Sequence, residues 1–125
     1  MVDGQLLVVD DEQDITAVLE EHFSARGYAV DVAHNGGDAL VLAAARRPDT
    51  VVLDITMPGP DGSEVLSRLR AVDPTIAVVM LTGNGDEDLA RWLLRAGAFD
   101  YIRKPFELDV LERVVTAAVA AGRRV

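Results

Sequence analysis

The chain has 125 residues, half of them apolar, no cysteine, and a formal net charge of −9. That length suits one domain spanning residues 1–125 with a core of its own, and the missing thiols exclude a disulfide framework, a thiolate metal site and a thiol nucleophile. The acidic balance argues against direct nucleic-acid binding, and with no apolar run near the roughly 18 residues of a membrane span and no basic leader, a cytoplasmic protein that meets proteins or cations is expected.

Residues 5–9 form a short apolar run closed by Asp10, Asp11 and Glu12, which reads as a buried strand ending in acids. In residues 13–26 Ile15, Val18, Leu19, His22 and Phe23 recur at helical spacing, and Gly27 ends the segment as a left-handed cap would. Residues 28–33 read as a second strand, Asn35-Gly36-Gly37 as its turn, and residues 38–47 as a short helix ended by Pro48. Val51, Val52 and Leu53 lack polar alternation and read as a strand buried on both faces, so Asp54 emerges at its carboxyl end. Pro58, Gly59, Pro60 and Gly62 then make a stiff loop that keeps the space above Asp54 open.

Residues 63–71 carry Val65, Leu66 and Leu69 on one helical face. Residues 76–81 are an unbroken apolar run ending at Thr82, followed by Gly83-Asn84-Gly85. Asp86 can cap a helix whose inner side is filled by Leu89, Leu93 and Ala96, leaving Trp92 between core packing and partner contact; Gly97 closes it. Residues 99–103 make a last strand ending at Lys104-Pro105, and Leu108, Leu111, Val114, Val115, Ala118 and Val119 stripe a final helix. His22 and His34, the two histidines, are assigned no role.

Five strands alternating with five helices through short turns imply an α/β fold with a parallel, doubly wound sheet. Asp10, Asp11, Asp54, Thr82 and Lys104 then share the carboxyl edge of that sheet, where ligand sites of such folds collect. Three carboxylates in one pocket repel one another, and a hard cation is the natural remedy; Mg²⁺ takes one or two carboxylates with waters and a substrate phosphate. A carboxylate nucleophile, a metal, a hydroxyl and an ammonium together suit phosphoryl transfer, with Asp54 becoming an aspartyl phosphate.

Asp10-Asp11, Asp54 followed by Met57-Pro58 and Asp61-Gly62, Thr82-Gly83, and Tyr101 with Lys104-Pro105-Phe106 resemble the receiver domain of bacterial two-component response regulators, over essentially the whole chain. The resemblance implies a flavodoxin-like five-stranded sheet in the order 2-1-3-4-5. It also implies that Asp54 accepts a phosphoryl group from a phosphohistidine on a sensor histidine kinase or histidine phosphotransfer protein. Asp11, with Asp10 directly or through water, Asp54 and the Thr56 backbone carbonyl would bind Mg²⁺. Thr82 would bond the phosphoryl group, Tyr101 would turn inward behind it, Lys104 would pair with a phosphoryl oxygen, and the Lys104-Pro105 bond would be cis. The output would be an altered surface on the last two helices and last strand, read by a downstream protein or effector domain.

Pro60 departs from the bulky apolar residue frequent before Asp-Gly in that family, while Thr56 and Asn84 occupy positions that tune hydrolysis of the acyl phosphate. Phe99 stands where one DNA-binding subfamily has an acid used in dimer salt bridges, which lowers the expectation of a phosphorylation-dependent dimer relative to a monomer. Two rivals are a Mg²⁺-dependent phosphohydrolase working through an aspartyl phosphate and a pseudo-receiver used only for protein binding. The first usually has a longer, capped chain with its nucleophile after the first strand; the complete acidic and switch set weighs against the second.

Overall fold

A strand that returns beside its neighbour in the same direction needs a crossover, and here each strand is followed by a helix able to supply one. The computed structural model describes residues 4–57, 62–83 and 85–122. Among them β1 (Gly4–Val9), β2 (Tyr28–Ala33), β3 (Thr50–Asp54), β4 (Ala77–Thr82) and β5 (Asp100–Arg103) form one parallel sheet in the order β2-β1-β3-β4-β5. The helices are α1 (Gln13–Ser24), α2 (Gly36–Arg46), α3 (Gly62–Val72), α4 (Glu87–Arg95) and α5 (Leu108–Gly122). This is the doubly wound α/β fold and the strand order expected. Expectations placed on Pro58, Gly59, Pro60, Asp61 and Asn84 fall outside the described residues.

The unbroken apolar strands are explained by cover on both faces. Alternate side chains of the central strands point opposite ways. Leu7, Val9, Val51, Leu53, Val78 and Met80 pack with Ala39 and Ala43 of α2, Val65, Leu66 and Leu69 of α3, and Leu93 of α4. Leu6, Val8, Val52, Val79 and Leu81 pack with Leu19 and Phe23 of α1 and Leu111, Val115, Ala118 and Val119 of α5. A polar side chain inside either layer would lose its water, so polar residues gather where the strands end.

The helix faces differ from expectation in two places. Val18 is 50% exposed, whereas Thr16 is buried beside Leu19 and Phe23 in α1. Successive helical residues turn by about 100°, which puts Val18 on the flank of the face that Leu19 centres. In α4 the inner face is Ala90 and Leu93; Leu89, Ala96 and Trp92, the last 53% exposed, lie outside it. Ala90 and Leu93, three residues apart, share one side of the helix, and Leu89, one residue before Ala90, is turned about 100° from Ala90. Asp86 precedes α4 without capping it through its side chain; its Oδ2 instead accepts from the Gly83 amide at 3.0 Å. α2 ends at Arg47, which adopts φ 46° before Pro48 is reached.

Candidate functional site

The carboxyl edge of the sheet carries, in spatial order, His34 after β2, Asp10 and Asp11 after β1, Asp54 and Thr56 at β3, Thr82 at β4 and Lys104 after β5. Asp10 continues the β1 ladder by one step, its amide donating to the Ala33 carbonyl at 3.1 Å. Its side chain is buried, and Oδ1 accepts from the Glu12 amide at 2.9 Å, so the chain turns sharply after the acid. Asp11 is exposed on that turn. Asp54, the last residue of β3, is buried; its Oδ1 accepts from the Thr56 amide at 2.9 Å and the Thr56 hydroxyl at 2.7 Å.

Lys104 reaches across from the far side. The pairing of Thr82 with Arg103 and a 2.7 Å bond from the Lys104 amide to the Thr82 carbonyl fix the end of β5 against β4. The Lys104-Pro105 peptide is cis, as expected. The ammonium donates to Asp54 Oδ2 at 3.3 Å, stands 2.8 Å from Asp10 Oδ2 as an ion pair, and lies 3.9 Å from Glu12 Oε1. Burial pushes the Asp10 carboxyl above the usual aspartate range, against the opposing pull of Lys104 and the Glu12 amide and with the Asp54 charge adding to the rise. Burial acts against the Lys104 charge too, but its contacts with Asp10 and Asp54 outweigh it and hold the ammonium above the ordinary lysine value.

Carboxylate oxygens of Asp10, Asp11 and Asp54 lie within 4.8 Å of one another, a spacing one ion could bridge. The donors are all hard oxygens, and two of the three acids, Asp10 and Asp54, are buried and share the Lys104 ammonium as counter-charge. Both features fit a divalent cation. Thr82 is buried one residue beyond Leu81, the register partner of Asp54, which brings its strand end beside the acid. Tyr101 is half-buried opposite Met80 and packs on the α2, α3 and α4 side of the sheet.

The expected residues therefore converge on one edge, where Asp10, Asp11 and Asp54 lie within reach of one another and Lys104 contacts Asp10 and Asp54. Three contacts were not anticipated. The Thr56 hydroxyl and amide grip Asp54, Glu12 joins the ammonium, and His34 Nδ1 lies 3.1 Å from the Asp10 carbonyl oxygen. A hydroxyl residue two positions after an aspartate is a recurrent local turn, so the Thr56 contact had a signal in the sequence.

The response regulator receiver domain family matches residues 6–116 of the chain. Sporulation initiation phosphotransferase F of Bacillus subtilis is 36% identical over 115 residues, covering 92% of this chain and 93% of that protein. Regulatory protein AtoC of Escherichia coli is 38% identical over 116 residues, covering 93% of this chain but 25% of AtoC, so the chain spans about a quarter of that relative. A response regulator receiver domain protein from Clostridium thermocellum superposes with a TM-score of 0.90 at 30% identity, covering 95% of this chain and 96% of that one.

Proposed function

The chain belongs to the response regulator receiver domain family, and from that premise we propose that Asp54 is its phosphoacceptor, fed by a phosphohistidine on a kinase or phosphotransfer protein. The observation that carries this reading is the meeting of Asp54 Oδ2 with Lys104 Nζ at 3.3 Å beside two further acids. In the transfer a new bond forms between an Asp54 oxygen and phosphorus while the bond between phosphorus and the donor imidazole nitrogen breaks, and the imidazole keeps that electron pair and takes up a proton. Asp10, Asp11 and Asp54, with the Thr56 backbone carbonyl, would hold Mg²⁺. Bound there, the ion neutralises charge gathering on the phosphoryl oxygens. Lys104, in contact with Asp54 and Asp10, supplies a further positive charge, and Thr56 holds Asp54 in one rotamer before the donor arrives.

After transfer the Thr82 hydroxyl turns to the phosphoryl group and Tyr101 follows into the space behind it. That change alters the surface offered by α4, β5 and α5 to a downstream protein or effector domain. The chemistry performed is the chain's own phosphorylation and dephosphorylation. Acetyl phosphate or phosphoramidate with Mg²⁺ should add a single phosphoryl group to wild type and none to Asp54→Ala, read by intact mass. Turnover of diverse phosphate esters would point to a phosphohydrolase instead.

A further inference from the structure

We propose that His34 is a positioning residue for the acidic turn, acting through the Asp10 carbonyl to set where the Asp11 carboxylate stands. β1 and β2 run in register with Val9 opposite Ala33, and the ladder ends where the Asp10 amide donates to the Ala33 carbonyl at 3.1 Å. One residue further, His34 Nδ1 lies 3.1 Å from the Asp10 carbonyl oxygen. A carbonyl oxygen only accepts, so Nδ1 carries the hydrogen and donates. Both polar groups of the Asp10 backbone are thereby tied to the end of β2, and the peptide leading into Asp11 is held in one orientation.

The two neighbouring acids differ in how much they need this. The Asp10 carboxylate is buried and has the Glu12 amide and Lys104 as partners. Asp54 is gripped by Thr56 and Lys104. Asp11 is exposed, and among the described residues no hydrogen bond or ion pair reaches its side chain, yet it completes the oxygen cluster. Its place within 4.8 Å of the other two acids therefore depends on its backbone. His34 is itself exposed, so water can replace its bond when the ring is removed; what is lost is orientation rather than folding energy.

The test, resting on the phosphoacceptor reading above, titrates Mg²⁺ calorimetrically into wild type, His34→Ala, His34→Asn and Asp11→Ala, with melting temperatures taken in chelator. Asparagine places an amide N–H where histidine has Nδ1, so it preserves the donor. His34→Ala should bind Mg²⁺ roughly tenfold more weakly, the lower end for groups that orient metal ligands. His34→Asn should bind within about twofold of wild type, because the donor that orients the ligand is kept. The melting temperatures of both should match wild type. Wild-type affinity in His34→Ala, equal weakening in His34→Asn, or a loss of affinity that follows a lowered melting temperature would each overturn the positioning role alone. Wild type that takes no Mg²⁺, or Asp11→Ala that binds as wild type does, would overturn the site reading as well.

Discussion

Lys104 Nζ stands 2.8 Å from Asp10 Oδ2, and the Asp10 side chain has no solvent exposure while that of Lys104 keeps 18%. The same ammonium reaches Asp54 Oδ2 at 3.3 Å, so one cation serves two buried carboxylates. Removing one member of a buried ion pair leaves the others uncompensated, and the residual exposure of Lys104 lets water relieve part of the cost. Lys104→Ala should therefore destabilise the metal-free protein by about 1–3 kcal/mol, less than a fully buried pair would cost. Saturating Mg²⁺ should recover more stability in the variant than in wild type, because a second counter-charge then enters the same cluster. Urea unfolding in chelator and in Mg²⁺ measures both differences, and equal recovery in the two proteins would contradict the shared-cation geometry.

The raised Asp10 carboxyl makes a claim of opposite sign. Burial lifts its folded-state pKa above the unfolded value, so its contribution favours the fold at pH below the ordinary aspartate value of about 3.9 and is lost as pH rises through the folded value. At neutral pH the ionised carboxylate thus costs stability. Asp10→Asn should melt higher than wild type in chelator at pH 7, with the gap narrowing towards acid. A variant that melts lower throughout would show that the Lys104 contact dominates instead.

On the opposite face of the sheet Glu112 Oε1 accepts from His22 Nε2 at 2.7 Å and from Arg26 Nε at 3.0 Å, joining α5 to α1. The bond from His22, joined by the charges of Arg26 and His22, outweighs the opposing effect of burial and holds the Glu112 carboxyl below the usual glutamate range. A depressed acid contributes stability above its unfolded pKa, about 4.3, and loses it as pH falls through the lower folded value. Glu112→Gln should be less stable than wild type at pH 7 and indistinguishable from it once pH drops below that window. Thermal melts across the acid range decide this, and a gap that persists at the acid end would assign the effect to packing.

Gly97 closes α4 at φ 117°, and a Cβ there would come within 2.9 Å of Arg70 Nε. The Arg70 guanidinium also donates to the Gly97 carbonyl at 3.2 Å, which ties α3 to the turn before β5. Gly97→Ala should cost about 1–2 kcal/mol from the left-handed backbone, and more where Arg70 is forced aside. In Arg70→Ala the crowding disappears, so the penalty for adding Gly97→Ala should shrink to the backbone share alone. Denaturant midpoints of the two single variants and the double variant measure it; an unchanged penalty would clear Arg70 of any part.

Where the sequence was legible, the reason was burial. Strands covered on both faces must be apolar throughout, so each ends visibly where Asp10, Asp54, Thr82 or Lys104 begins. Helix orientation was less legible in α4, because Leu89, Ala90, Trp92, Leu93, Leu94 and Ala96 surround much of the helix and several faces look equally apolar. The choice of Ala90 and Leu93 follows from close packing, which a periodic pattern does not record. The grip of Thr56 on Asp54 follows from a spacing of two residues, whereas the bond of His34 to the Asp10 carbonyl joins residues 24 apart and is set by the register of β1 against β2 rather than by spacing.

Trp92, the chain's single tryptophan, lies outward on α4 and can report what happens at Thr82. Thr82 ends β4, the next amide, that of Gly83, is held by Asp86 at 3.0 Å, and Asp86 immediately precedes α4. A turn of Thr82 towards a phosphoryl group on Asp54 therefore pulls on the start of the helix that carries Trp92. Phosphorylation of wild type by acetyl phosphate with Mg²⁺ should change Trp92 emission. Thr82→Ala should still accept the phosphoryl group, since Asp54, the acids and Lys104 remain, but with most of the emission change gone. Thr82→Ser keeps the hydroxyl and should restore it. Equal emission changes in wild type and Thr82→Ala would show that α4 responds to phosphorylation by a route that does not pass through this hydroxyl.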